Sequence, residues 1–311
     1  MTRVAAIDCG TNSIRLLVAD VDPDAGTLRD LERVMTVVRL GEGVDRTGRL
    51  SGAALQRTFA AAQEYAGTCE RLGVERLRFV ATSASRDAEN RETFVSGVRE
   101  LLGVEPEVVP GTEEAELSFR GATRELLADG LTGPFVVVDL GGGSTEVVRG
   151  SSSVEAALSV DIGCVRMTER HLAGDPPSPA QVAAARRDIE AALDRVADAV
   201  PLSGASALVG LAGTVTTITA CALDLPEYDA ERIHRTRLPV EDVRQACDRL
   251  LHLSRAGRAA LPYMHPGRVD VIGGGALIWR CVVDRLVECS GLTEVVTSEH
   301  DILDGIAFSI A

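Results

Sequence analysis

The sequence predicts an α/β protein of two related lobes, each a mixed sheet flanked by helices, and three observations predict it. First, short apolar runs rich in Val and Ile alternate with longer stretches whose apolar residues recur at helical spacing. Second, a strand, glycine turn and strand occur twice. Setting IDCGTNSIRLLV over VDLGGGSTEVVR without a gap aligns Asp8 with Asp139, Gly10 with Gly141 and Ser13 with Ser144, each pair 131 positions apart. Third, the same offset carries Ala81, Thr82 and Ser83 onto Ala212, Gly213 and Thr214, so RFVATSASR lies over VGLAGTVTT. Two ungapped matches at one offset are better explained by duplication than by coincidence. At 311 residues the chain is also long for a single core.

In chain order, Val4 to Cys9 reads as a strand, Gly10-Thr11-Asn12 as a turn, and Ser13 to Val21 as a second strand. Ser51 has N-cap chemistry ahead of a helix over Ala54 to Leu72. A second helix is expected over Arg86 to Leu102, a short strand over Glu107 to Val109, and a break at Pro110-Gly111. Thr112 is expected to cap a helix that opens with Glu113 and Glu114 and runs to about Leu127. Phe135 to Val148 forms the central strand-turn-strand, and Ser153 to Val160 the strand after it. Helices follow near Cys164 to Leu172, Pro179 to Val200, Val215 to Leu223 and Val240 to Leu253, with Asp175 to Pro179 as a loop. Gly273 to Gly275 should interrupt a late apolar stretch and leave Leu277 to Val287 as a buried helix. The last segment, Asp301 to Ile310, is an apolar helix that should pack back onto the first lobe. The expected domains are therefore 1–117 together with 299–311, and 118–298.

Composition narrows the function. A net charge of −14 argues against a nucleic-acid binder, and a polyanionic ligand would need a divalent cation or a local arginine patch. The seven cysteines lie mostly in apolar segments with no C-x-x-C pair, as buried free thiols do in a reducing compartment. The amino terminus runs straight into a strand, and no apolar run reaches about 18 residues, so a cytoplasmic protein without a membrane segment is expected. A homodimer is the default expectation for assembly.

The most informative stretch is FVVVDLGGGSTEVV. Without Cβ atoms, Gly141, Gly142 and Gly143 can turn their N–H groups, with that of Ser144, toward one anion. Asp139 and Glu146 flank the turn. A plain connecting hairpin is the alternative, but ordinary hairpins use one or two turn glycines rather than three between acids. None of the five histidines lies near these motifs at the ligand spacing that zinc would need. Glu113 and Glu114 both fit a helix start, where the macrodipole favours acids. Arg86 fits equally a solvated helix start and a phosphate clamp. Arg166, Arg170, Arg186 and Arg187 read first as a solvated helix face, and otherwise as the wall of a groove for a polyanion. His300-Asp301 reads as a helix cap.

The motifs IDCGTNSIRLLV, ATSASRDAEN, VPGTEEAELSFRG, VVVDLGGGSTEVV, LAGTVTT and VIGGGAL, in this order, resemble the exopolyphosphatase and guanosine pentaphosphate phosphohydrolase family, in its short two-domain actinobacterial form. That family belongs to the superfamily of actin, sugar kinases and heat-shock chaperones. The resemblance extends from about Val4 to Ile310. It implies two actin-like (ribonuclease H-like) lobes with an active-site cleft between them. It also implies Mg²⁺-dependent hydrolysis of a terminal phosphoanhydride. By the same resemblance, Glu114 rather than Glu113 is the catalytic base, while Asp8, Asp139 and Glu146 position metal and water. The implied phosphate-binding residues are Gly10, Thr11, Asn12 and Ser13, then Gly141, Gly142, Gly143, Ser144 and Thr145, then Gly213 and Thr214, with Arg86. Arg15 lies where members differ in what they present to the ligand. Cys9 and Thr11 replace the commoner aliphatic residue and Ser, and Pro110 stands where Ser is frequent. Longer members continue past the position of Ala311 into helical domains implied to lengthen the polyphosphate channel, so short to moderate polyphosphate is the expected substrate. The rival substrate is guanosine pentaphosphate. A non-catalytic sensor of guanosine tetraphosphate or polyphosphate is the reading from another class, and a sugar or acyl kinase is disfavoured because Glu114 would then have no task.

Overall fold

The computed structural model describes residues 1–128 and 130–311. The chain divides into two compact units, Met1–Gly121 with Ile302–Ala311, and Ala122–Asp301. Unit 1 opens with β1 (Thr2–Cys9), β2 (Ser13–Asp22) and β3 (Thr27–Val37). The short helix α1 (Val44–Thr47) and the long α2 (Gly52–Leu72) follow, then β4 (Arg76–Ala81), α3 (Ser83–Asp87), α4 (Arg91–Leu102) and β5 (Glu107–Val108). Helix α5 (Gly111–Ala128) contains the point of division.

Unit 2 holds β6 (Phe135–Leu140), β7 (Thr145–Gly150), β8 (Val154–Val160), α6 (Cys164–His171), α7 (Pro179–Ala199), β9 (Ala207–Leu211) and α8 (Ala212–Ala222). It continues with α9 (Ala230–Ile233), β10 (Arg237–Pro239), α10 (Val240–His252), α11 (Arg255–Ala259), α12 (Ile272–Ser290) and β11 (Glu294–Thr297). Helix α13 (Ile302–Ser309) then returns to unit 1. Among the described residues, no helix is long and apolar enough to cross a membrane.

The two sheets repeat one plan. In unit 1 the order is β3-β2-β1-β4-β5, and in unit 2 β8-β7-β6-β9-β11 with β10 added at the edge. In both, the first three strands are antiparallel neighbours and the next two run parallel to the first. Register repeats as well: Asp8 pairs with Arg15 and Val80, and Asp139 pairs with Glu146 and Leu211, its counterparts 131 positions on. This is the ribonuclease H-like, actin-like arrangement, present twice.

Both faces of the unit 1 sheet are covered, which is why β1 is an unbroken apolar run. Ala5, Ile7 and Cys9 pack with Tyr65 of α2 and Phe94 of α4. Val4 and Ala6, on the alternate face, pack with Ile302, Leu303, Ile306 and Ala307 of α13. Gly305 permits that docking, since a Cβ there would lie 2.0 Å from the Leu117 carbonyl oxygen. Asp304 of α13 is buried and receives the Arg33 guanidinium through both oxygens, at 2.7 and 3.3 Å. In unit 2 one large core surrounds α12, whose Trp279 occupies the space that Gly210 of β9 leaves open.

Several elements differ from expectation. The helix expected over Arg86 to Leu102 is two helices. Asn90 leaves the helical path to bond both the N–H and the carbonyl of Leu50, at 2.8 and 3.0 Å. Helix α5 begins at Gly111, so Thr112 lies inside its first turn, and the Pro110 carbonyl accepts from the N–H groups of Glu113 and Glu114. The glycines of VIGGGAL do not break a helix. They form the first turn of α12, where Cβ atoms on Gly274 and Gly275 would strike Thr168 and Thr214. Strand β3 escapes a reading by pattern because it is a half-exposed edge strand whose charged residues mask the alternation. The three-residue β10 and four-residue β11 are too short to show a period.

Candidate active site

The glycine triplet sits in the turn between β6 and β7, closed by a 3.1 Å bond from the Gly141 N–H to the Ser144 carbonyl. The start of α6 grips it from behind. The N–H of Cys164 donates to the Gly141 carbonyl at 3.0 Å, and those of Val165 and Arg166 to the Gly142 carbonyl at 2.9 and 3.2 Å. The Arg166 Nε donates to the Gly143 carbonyl at 2.8 Å. Gly163 allows the approach, since its Cβ would lie 2.3 Å from the Gly142 carbonyl carbon. With all three carbonyls held on one side, the peptide planes turn their N–H groups the other way. Those of Gly142, Gly143 and Ser144 bond no described residue and remain for an outside acceptor. Thr145 spends its hydroxyl proton on the Ile162 carbonyl, so its side chain braces the turn.

Asp139 and Glu146 stand directly opposite one another in β6 and β7, both buried. Two ionised carboxylates in that relation repel. The Ser159 hydroxyl donates to Glu146 Oε1 at 2.7 Å and fixes its orientation. The corresponding pair in unit 1 is Asp8 and Arg15, which neutralise each other: Arg15 donates from Nε at 3.0 Å and Nη2 at 2.7 Å to Asp8 Oδ2. Arg15 is thus committed to Asp8 within its own sheet.

The unit 1 turn is gripped in the same manner. Gly10 bonds the Ser13 carbonyl at 2.9 Å, the match of the Gly141 bond. The chain beyond β3 supplies the grip: the N–H groups of Val38 and Arg39 donate to the Asn12 carbonyl, and that of Gly41 to the Thr11 carbonyl at 2.8 Å. The Thr11 hydroxyl lies 2.9 Å from that of Ser83 at the start of α3.

Glu113 and Glu114, indistinguishable by sequence, part company on α5. Glu113 is an outer residue whose Oε1 meets Arg78 at 2.5 Å. Glu114 is 7% exposed, and Arg86 of α3 donates from Nη1 both to its Oε2 and to the Val109 carbonyl, each at 3.0 Å. Arg86 is therefore engaged rather than a loose surface cation: it orients Glu114. In unit 2, Gly213 and Thr214 form the first turn of α8, entered through Ala212 at φ 67. A left-handed alanine is strained, and it aims the turn. A Cβ at Gly213 would lie 2.3 Å from the Arg268 guanidinium, which also donates to Thr217 Oγ1 at 3.0 Å.

Sequence reasoning missed the supporting residues Gly163, Ser159, Val38 to Gly41 and Arg268, and it read Arg166, which braces the turn, as a solvated face or a groove wall. The repeat held a signal for some of them, since in both copies the grip follows the third strand. It was unreadable while β3 was undetected. Of the other arginines on the second-lobe helices, Arg170 bonds Asp188 at 2.7 Å, and Arg186 lies among Arg244, Arg280 and the acids Glu190, Asp284 and Glu288. That lining is mixed in charge.

The fold defines the chain as a two-unit α/β protein of the ribonuclease H-like, actin-like class. Residues 17–309 match the Ppx/GppA phosphatase family, and the chain belongs to that family. It is 51% identical over 318 residues to Exopolyphosphatase 2 of Mycobacterium tuberculosis (strain CDC 1551 / Oshkosh), covering 100% of this chain and 99% of that protein. Among solved structures, an exopolyphosphatase-like protein is 46% identical with a TM-score of 0.96, over 99% of this chain and 97% of that one. The Ppx/GppA family member of Aquifex aeolicus is 29% identical with a TM-score of 0.81, over 99% and 97% of the two chains.

Proposed function

We propose that this protein is an exopolyphosphatase that releases terminal orthophosphate from inorganic polyphosphate of short to moderate length. The observation that carries the reading is the braced glycine turn beside the opposed acids Asp139 and Glu146, in a chain 51% identical to a protein named an exopolyphosphatase. The N–H groups of Gly142, Gly143 and Ser144 bind oxygens of the terminal phosphoryl group. Water attacks its phosphorus, the bridging P–O bond breaks, and the shortened chain leaves with the electron pair on oxygen. Glu114, oriented by Arg86, takes the proton from water. Gly10 to Ser13, Gly213 and Thr214 serve as further phosphate contacts, and Asp8, held by Arg15, is the third acid.

Asp139 and Glu146 fit Mg²⁺, being hard oxygen donors whose mutual repulsion a divalent cation would relieve. When bound, the ion supplies neutralisation of non-bridging oxygens. The protein's own part is to position the phosphoryl group and hold the base.

The test is orthophosphate release with Mg²⁺ present, comparing polyphosphates of several lengths with guanosine pentaphosphate and ATP. Release from polyphosphate in preference to the others is expected. Preference for guanosine pentaphosphate would make the protein a guanosine pentaphosphate 5′-phosphohydrolase using the same residues. Release from none would replace the enzyme with a sensor that binds guanosine tetraphosphate or polyphosphate, and ADP formation only with an added acceptor would indicate a kinase.

A further inference from the structure

Three donor side chains from distant parts of the sequence converge within unit 2. Glu125 lies on α5, His234 caps the C-terminus of α9, and His300 precedes α13. Glu125 Oε2 is 2.7 Å from His234 Nε2, and its Oε1 is 3.4 Å from His300 Nδ1. The imidazole centroids are 4.5 Å apart with planes inclined at 38°. One donor atom from each residue lies within 4.8 Å of the other two, and all three residues are only partly buried.

An ordinary ion pair explains one imidazolium on one carboxylate. It does not explain the second ring, because protonating both would set two positive charges within about 5 Å for a single negative one. Two neutral imidazoles and a carboxylate are instead the donor set that zinc and its neighbours prefer, unlike the all-oxygen set around Asp139. We propose that Glu125, His234 and His300 form a binding site for one divalent transition metal ion of the zinc class. Three protein ligands leave the fourth position to water. The strongly acidic chain raises the local concentration of cations.

The metal-free geometry also sets a limit on affinity. The Glu299 N–H donates to His234 Nδ1 at 3.2 Å, which leaves Nε2 as the ring's donor to Glu125. Coordination through Nε2 moves that ring proton to Nδ1, so the Glu299 N–H must turn to another acceptor. The site therefore binds more weakly than a closed structural zinc site.

The test uses the full chain carrying Cys289→Ser, which removes the exposed thiol, stripped with chelator and titrated with ZnCl₂ by calorimetry. One equivalent is expected to bind, without competition from Mg²⁺. In His300→Ala, His234→Ala and Glu125→Gln the affinity should fall at least about tenfold, with circular dichroism in chelator unchanged. Co²⁺ should give the intense visible bands of a tetrahedral centre in the parent, and these should disappear in His300→Ala. Absence of stoichiometric binding, or binding that all three substitutions leave intact, would overturn the site. So would substitutions that alter only the pH dependence of unfolding with no change toward metal.

Discussion

Glu113 and Glu114 show what one position along a helix decides. Arg78 holds the first at the surface, while the second is enclosed and oriented by Arg86. Glu114→Gln should keep its melting temperature and lose about 10²-fold or more in kcat, as expected for a general base. Glu113→Gln, which removes only a surface pair, should stay within about twofold in kcat and about 1 kcal/mol in stability. Steady-state phosphate release and thermal melting on the two variants check this, and equal losses would remove the assignment. A different carboxylate governs stability in acid. Arg3, at 2.8 Å, holds the Asp20 carboxyl down to about 2, against burial and with help from Arg29. A depressed carboxyl contributes stability above the unfolded value of about 3.9 and loses it as the pH falls toward the folded one. The stability difference between the parent and Asp20→Asn should therefore be full at pH 6 and shrink as the pH falls from about 4 toward 2, as read by urea unfolding.

At the scale of elements, the glycine turn is only half of a device. The other half is the first turn of α6, which takes the carbonyls of Gly141, Gly142 and Gly143 and so directs the amides. In Gly163→Ala the new Cβ would meet the Gly142 backbone at 2.3 Å, and a backbone partner yields only by moving the turn. We expect kcat/KM to fall by about 10²-fold, the scale of effect that a 1 Å displacement of a positioning group produces. Arg166→Ala, which removes one of the four bonds, should lose less. Loss of folding in Gly163→Ala without any loss of activity in Arg166→Ala would count against the grip. Unit 1 achieves the same orientation with a loop instead of a helix, through Val38, Arg39 and Gly41. What recurs between the copies is therefore the carbonyl grip, not the element that provides it. The glycine-rich start of α12 reads by sequence as an interruption, yet Gly274 and Gly275 are seats for α6 and α8. A glycine cluster has one appearance whether the close neighbour is a ligand or a helix.

At the scale of the whole molecule, the chain leaves unit 1 within α5 and re-enters it at α13. The return is held by close backbone packing at Gly305 and by the half-exposed Arg33 bonded to the buried Asp304. Gly305→Ala should destabilise by about 1–3 kcal/mol through overpacking. Arg33→Ala should cost about 1–3 kcal/mol by removing the two charge-assisted bonds to the buried Asp304. Denaturant midpoints measure both. All seven cysteines are free, six of them are buried, and burial raises the thiols of Cys69 and Cys281 to about 11. A thiol reagent at neutral pH should thus modify Cys289 alone in the native protein and all seven after unfolding, as mass spectrometry would count.

The duplicated plan, the strands β1, β2, β6 and β7, and the glycine turn with its flanking acids were determined by the sequence itself. Each is encoded by residues adjacent in the chain, where strand period, missing Cβ atoms and an ungapped offset can be read directly. Four relations were decided only by the tertiary structure: the Glu125, His234 and His300 cluster, the choice of Glu114 over Glu113 as the oriented acid, the grip of α6 on the turn, and the pairing of Asp8 with an arginine where Asp139 faces a second acid. These depend on partners brought together across strands and helices. No local pattern specifies where such partners meet, because that is set by packing and register rather than by spacing along the chain.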